Sequence, residues 1–102
     1  KIEIISGPQD GMIITLTEEN LITQWTRDNG SLLSFPWDKE LGSPQAVIRY
    51  QGGVWEIEPQ DALHGLYVMN GGGKISGTNK IEIGQIYRAN YTWLKIKNIQ
   101  AD

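Results

Sequence analysis

Apolar and polar residues alternate along most of this chain. Ile2 and Ile4 bracket Glu3, and Met12, Ile14 and Leu16 interleave with Ile13, Thr15 and Thr17. Trp55 and Ile57 interleave with Glu56 and Glu58, and Ile81 and Ile83 bracket Glu82. Near the end, Thr92, Leu94 and Ile96 interleave with Tyr91, Trp93, Lys95 and Lys97. A period of two sends successive side chains to opposite faces, so each run reads as a strand with one buried face. No window repeats apolar residues at i, i+3, i+4 and i+7 over three turns, which predicts no long helix.

Turn residues divide these runs. Gly7–Gly11, Glu18–Asn20, Arg27–Ser31, Gln51–Gly53, Asn70–Gly73 and Gly77–Asn79 are the breaks. Gly52-Gly53 suits a tight hairpin, because glycine supplies the positive φ such turns need. The strands are predicted at 1–6, 12–17, 21–26, 31–35, 45–50, 54–58, 66–69, 80–83, 85–87 and 91–97. Many short strands with regular turns predict an all-β sandwich or barrel. The first and last strands are both apolar, and they are expected to pair and bring the termini together.

Length and composition narrow the picture. A chain of 102 residues is expected to be one domain, 1–102, and Lys1 in place of an initiating Met suggests a domain excised from a longer protein. The net charge of -3 argues against a nucleic-acid partner and against polybasic membrane attachment. The absence of cysteine excludes disulfides and thiolate chemistry and fits a cytoplasmic location. With a single histidine, His64, no multi-histidine metal site is possible, and neither a metal nor another cofactor is expected. No apolar run is long enough for a membrane-spanning helix.

Candidate chemistry is sparse. Glu56 and Glu58 share a strand face and read as a solvated surface rather than an acid–base pair. Asp10, Asp28, Asp38 and Asp61 stand in turns, where local Asx hydrogen bonding accounts for them. Gly71-Gly72-Gly73-Lys74 lacks the earlier glycine and the following Ser or Thr of a phosphate loop. An enzyme is not expected. Of the four tryptophans, Trp25 and Trp55 read as core, Trp37 as a loop anchor or exposed contact, and Trp93 as partly exposed.

Ser6 to Gly11, Thr26-Arg27, Gly42 to Ile48, Trp55 to Ile57, His64 to Val68 and Ile81 to Ile86 follow one another, along nearly the whole chain, in an order that resembles a forkhead-associated (FHA) domain, a divergent bacterial-type member. Ser6-Gly7-Pro8 through Gly11 is similar to the opening of bacterial members. Thr26-Arg27 stands at the family's Gly-Arg, and Gly42-Ser43-Pro44-Gln45-Ala46-Val47-Ile48 at its Ser-x-x-His and Ala-x-Ile. Trp55-Glu56-Ile57, then His64-Gly65-Leu66-Tyr67-Val68 in the slot of Asn-Gly-Thr-Tyr-Val, and Ile81 to Ile86 complete the pattern. The resemblance implies a β-sandwich of about ten or eleven mostly antiparallel strands in two sheets that reads phosphothreonine peptides.

The substitutions bear on that function. The family arginine grips phosphate, and Arg27 keeps it. The family serine donates a hydroxyl; Gly42 has none, while Ser43 stands one residue on. The family asparagine holds the peptide backbone, and His64 lacks an amide's paired donor and acceptor. The family histidine braces the loop, a task Gln45 can perform by hydrogen bonding.

These residues imply a non-catalytic protein–protein interaction module with a degenerate phosphothreonine site, contacting partners through Arg27, Asn29, Ser43, His64 and Asn70. One alternative is a working phosphothreonine-peptide reader using Arg27 and Ser43, with Arg49 completing a basic pocket. A second is an architectural domain packed on other domains of its own parent chain, and a third is a carbohydrate-binding sandwich using Trp37 or Trp93.

Overall fold

The computed structural model describes residues 1–61 and 65–99. Ten strands form two five-stranded sheets: β1 (Ile2–Ile4), β2 (Ile13–Ile14), β3 (Ile22–Thr26), β4 (Leu33–Ser34), β5 (Ala46–Gln51), β6 (Val54–Pro59), β7 (Tyr67–Val68), β8 (Asn79–Lys80), β9 (Ile86–Ala89) and β10 (Thr92–Ile96). One sheet runs β2-β1-β10-β9-β7 and the other β4-β3-β5-β6-β8. A single 3-10 turn at Gly7–Gln9 is the one helical element among the described residues. The pairings are antiparallel except β3 with β4.

Alternation becomes a core in the expected way. Ile2, Ile4, Leu94, Ile96, Tyr87 and Ala89 of one sheet face Trp25, Ala46, Ile48 and Ile57 of the other, with Leu33, Phe35, Leu41, Leu66 and Ile81 filling between. First and last strands pair, with Ile2 opposite Ile96 and Ile4 opposite Leu94. The Lys1 amine donates to the Asn98 carbonyl at 2.9 Å. β5 and β6 join through the hairpin whose Gly52 and Gly53 both have positive φ.

Three expectations need correcting. The predicted strand at 12–17 contracts to Ile13–Ile14, an edge strand that leaves Met12 exposed while Ile14 and Leu16 pack on the core. Ile81 and Ile83 do not share a buried face: Ile81 is 4% exposed and Ile83 62%. The chain turns there, Gln85 N–H donating to the Glu82 carbonyl at 3.3 Å, so the alternation ends at Ile81. Trp55 is part-buried against the core and against Tyr50, with ring centroids 4.8 Å apart, whereas Trp25 is fully buried.

No helix among the described residues is long and apolar enough to cross a membrane.

Candidate functional site

The loops that follow β3 and β4 meet the segment after β6 at one end of the sandwich. Gln45 is the hub. Its fully buried side chain accepts the Gly42 N–H at 2.8 Å and donates to the Gly65 carbonyl at 3.1 Å and the Asp61 carbonyl at 3.4 Å. Its main chain donates to Trp25 and accepts from Gln60 and Asp61. A primary amide supplies both acceptor and donors, so one side chain ties three segments together. The bracing expected of Gln45 is therefore present.

Asp38 is the second anchor. It is buried, and its carboxylate accepts from the Tyr91 N–H at 3.0 Å, the Thr92 hydroxyl at 2.9 Å and the Asn90 side-chain amide. The β4–β5 loop is thereby fastened to the β9–β10 turn of the other sheet. Sequence reading assigned Asp38 to local turn chemistry; its bonds instead reach residues 52–54 positions away. Nothing in spacing signals such a contact, because it depends on how two sheets stack. Trp37 beside it is a loop anchor: its indole N–H donates to Gln9 Oε1 at 2.8 Å and its ring lies beneath Gly7.

Arg27 follows β3 directly. Its N–H donates to the Gly42 carbonyl at 3.3 Å, and its guanidinium Nη1 donates to the Lys39 carbonyl at 3.1 Å. The Ser43 hydroxyl donates to Asp28 Oδ2. Asp28 is thus another turn aspartate with a distant partner, fifteen residues along. Gly42 has no room for a side chain: a Cβ there would lie 2.7 Å from Asp61 Cβ and Oδ2 and 2.9 Å from the Gln45 Cα.

The five sequence-predicted site residues separate. Arg27 and Ser43 come together through Gly42 and Asp28. Asn29 is exposed and lines a shallow hollow with Ile22, Gln24 and Leu32 along the outer edge of β3. Asn70 sits at the opposite end of β9 from Asn90; its amide accepts the Ile86 N–H at 2.6 Å and donates to the Gly84 carbonyl at 3.3 Å, bracing the hairpin after β7. That hairpin reverses direction, which carries Asn70 away from the Arg27 and Ser43 loops with which it was expected to share one end of the sandwich. His64 lies outside the described residues.

Arg49 does not join Arg27. It pairs with Ile22 at the far end of β3 and forms an ion pair with Glu58 at 2.5 Å, so about five strand residues, roughly 16 Å, separate the two arginines. A cavity of ≈ 130 Å³ lined by Ile48, Trp55, Ile81 and Ile96 opens near Lys1 and Asn98, away from Arg27 and Ser43. Among the described residues no cluster of His, Cys, Asp and Glu is arranged to hold a metal ion.

No family model and no curated protein sequence matches the chain. Solved structures do. The FHA domain of a Chlamydia trachomatis protein superposes with a TM-score of 0.80 at 16% identity, over 97% of this chain and 96% of that one. A domain described in work on phosphothreonine-dependent FHA interactions gives 0.76 at 15% identity, over 97% and 95%. The fold is that of an FHA domain. The FhaA FHA domain, solved in complex with the intracellular domain of another protein, gives 0.70 at 16% identity, over 92% and 94%. At these identities the FHA likeness is one of architecture, and the loop chemistry has to be read from this chain's own residues.

Proposed function

We propose that this FHA-like domain is a non-catalytic protein–protein interaction module whose phosphothreonine site is degenerate. It binds its partner, a protein segment that needs no phosphate, through the loops carrying Arg27 and Ser43. The observation that supports this is the Ser43–Asp28 hydrogen bond. The Ser43 hydroxyl donates to a carboxylate, so an anion already occupies the place where a phosphate oxygen would accept. A dianionic phosphate brought there meets like-charge repulsion from Asp28. The Arg27 guanidinium meanwhile donates to a main-chain carbonyl, and the glycine in the serine slot has no space for a hydroxyl-bearing side chain.

The reading extends to its setting. The domain works in the cytoplasm and requires no cofactor. Interaction is also what the neighbouring structures are described as doing, one in phosphothreonine-dependent FHA interactions and one in complex with an intracellular domain.

One observation favours the phosphothreonine reader as a second reading: Arg27 and Ser43 are adjacent and exposed. The test is binding to a degenerate phosphothreonine peptide library with unphosphorylated peptides, Arg27→Ala and Asp28→Asn alongside. Our reading expects no phosphate-dependent binding by the natural chain. Micromolar binding that needs both phosphate and Arg27 sinks it. If Asp28 is the obstacle, Asp28→Asn gains weak phosphate-dependent binding that the natural chain lacks.

A further inference from the structure

The outer face of the β2-β1-β10-β9-β7 sheet carries a charge pattern that the loop end does not use. Trp93 of β10, Arg88 of β9 and Tyr67 of β7 stand directly opposite one another across three neighbouring strands. Their side chains alternate with the buried Leu94 and Tyr87 and the partly buried Val68, which pack on the core, so all three point away from it. The Arg88 guanidinium carbon lies 5.0 Å from the Tyr67 ring centre and 5.9 Å from that of Trp93. Arg88 Nε is buried with no hydrogen-bond partner.

The surroundings are cationic. Lys95 lies two residues from Trp93 on the same face, Lys74 bridges Tyr67 at the sheet edge, and Lys97 meets Glu3 at 3.5 Å. The ion pairs among the described residues are Arg49–Glu58 and Lys97–Glu3, which leaves Lys74 and Arg88 without a carboxylate partner there, while Lys95 shares with Lys97 the one Glu3 that stands opposite it on β1. The other sheet's outer face is balanced: Arg49 lies between Ile22 and Glu56, and Lys80 opposite Glu56. A cationic face therefore stands out on a chain whose net charge is -3.

We propose that this face docks a short acidic polypeptide segment, a loop or tail rich in Asp and Glu from a partner protein, at a surface separate from the Arg27 loops. The two rings flank the Arg88 guanidinium, so its Nη groups meet a carboxylate with little further ordering cost. Lys95 and Lys74 supply flanking charge. The row from Trp93 to Tyr67 spans two inter-strand spacings, roughly 10 Å, a fit for a few side chains rather than an extended polyanion. A long nucleic acid draws its affinity from many phosphate contacts, more than this short row offers.

The experiment is an NMR titration of amide shifts with an oligo-glutamate peptide, run at low and raised salt. We expect saturable shifts over residues 86–89 and 92–96 that weaken with salt. Arg88→Gln and Lys95→Gln should each weaken binding about two- to fivefold, while Arg27→Gln leaves it unchanged. Lys95→Gln leaves the ring contacts intact, so it remains informative if Arg88→Gln unfolds the sheet. The proposal is overturned by an absence of saturable shifts or by shifts that neither substitution weakens. It is equally overturned if duplex DNA, or vesicles containing phosphatidylserine, occupy the same residues more tightly than the peptide.

Discussion

Gly42 holds the tightest constraint at the loop end. Its neighbours are the Asp61 side chain and the Gln45 main chain, and the latter has no freedom to retreat because Gln45 is bonded on both sides. Gly42→Ser, which would restore the hydroxyl typical of the family, should therefore cost about 1–3 kcal/mol by overpacking, read as a lower urea midpoint with unchanged slope. A neutral or stabilising result would mean the loop has slack that the contacts do not reveal. Gln45→Ala should cost about 2–4 kcal/mol, since it leaves the buried Gly42 N–H and Gly65 carbonyl without partners and adds a cavity. A loss below about 0.5 kcal/mol would show that water replaces the amide. Residues of this kind were partly legible. Arg27 and Ser43 were named because the motif order resembles that of FHA domains, which sets Arg27 at the family's arginine and Ser43 one residue from its serine. The Asp28 carboxylate between Ser43 and any incoming anion was not, because its bond joins two loops whose shapes no periodicity specifies.

Among the elements, the β9–β10 turn and the β4–β5 loop depend on each other through Asp38, whose carboxylate accepts three donors from residues Asn90 to Thr92. Asp38→Ala strands a buried hydroxyl and an amide together. It should destabilise by about 2–4 kcal/mol and speed hydrogen exchange at Tyr91 and Thr92 beyond the global change. Asp38→Asn should be milder: its one carbonyl oxygen can still serve Tyr91 and Thr92, but the Asn90 amide then faces another donor. Equal losses in the two variants would mean that the charge, not the acceptor geometry, carries the contact. Element positions were the most legible level, because burial on one face writes a period of two into β1, β6 and β10. Short edge strands such as β2 and β8 were drawn too long or displaced: with one bonded neighbour each, they stop where the chain turns, before the alternating residues run out.

At the scale of the molecule, one core joins both sheets, and the buried Tyr87 belongs to it. The Tyr87 hydroxyl donates to Gln85 Oε1, and burial, with the Glu82 charge nearby, pushes the phenol from 10.0 up to about 12. Below pH 10 the phenol is neutral in both folded and unfolded chains, and its proton contributes no pH dependence. Between pH 10 and 12 the unfolded chain releases the proton while the folded chain keeps it. The unfolded state then binds fewer protons, so stability falls as pH rises. Because a domain of this size unfolds as a unit, that local preference should appear in the global transition. The free energy of unfolding should decline by roughly 1 kcal/mol per pH unit above pH 10. Tyr87→Phe removes the titrating group while preserving most of the ring's burial, so its urea midpoint should be distinctly flatter over the same range. Parallel declines in the two chains would assign the alkaline loss to other groups, Tyr50 first, whose phenol is also raised by burial and by Glu18.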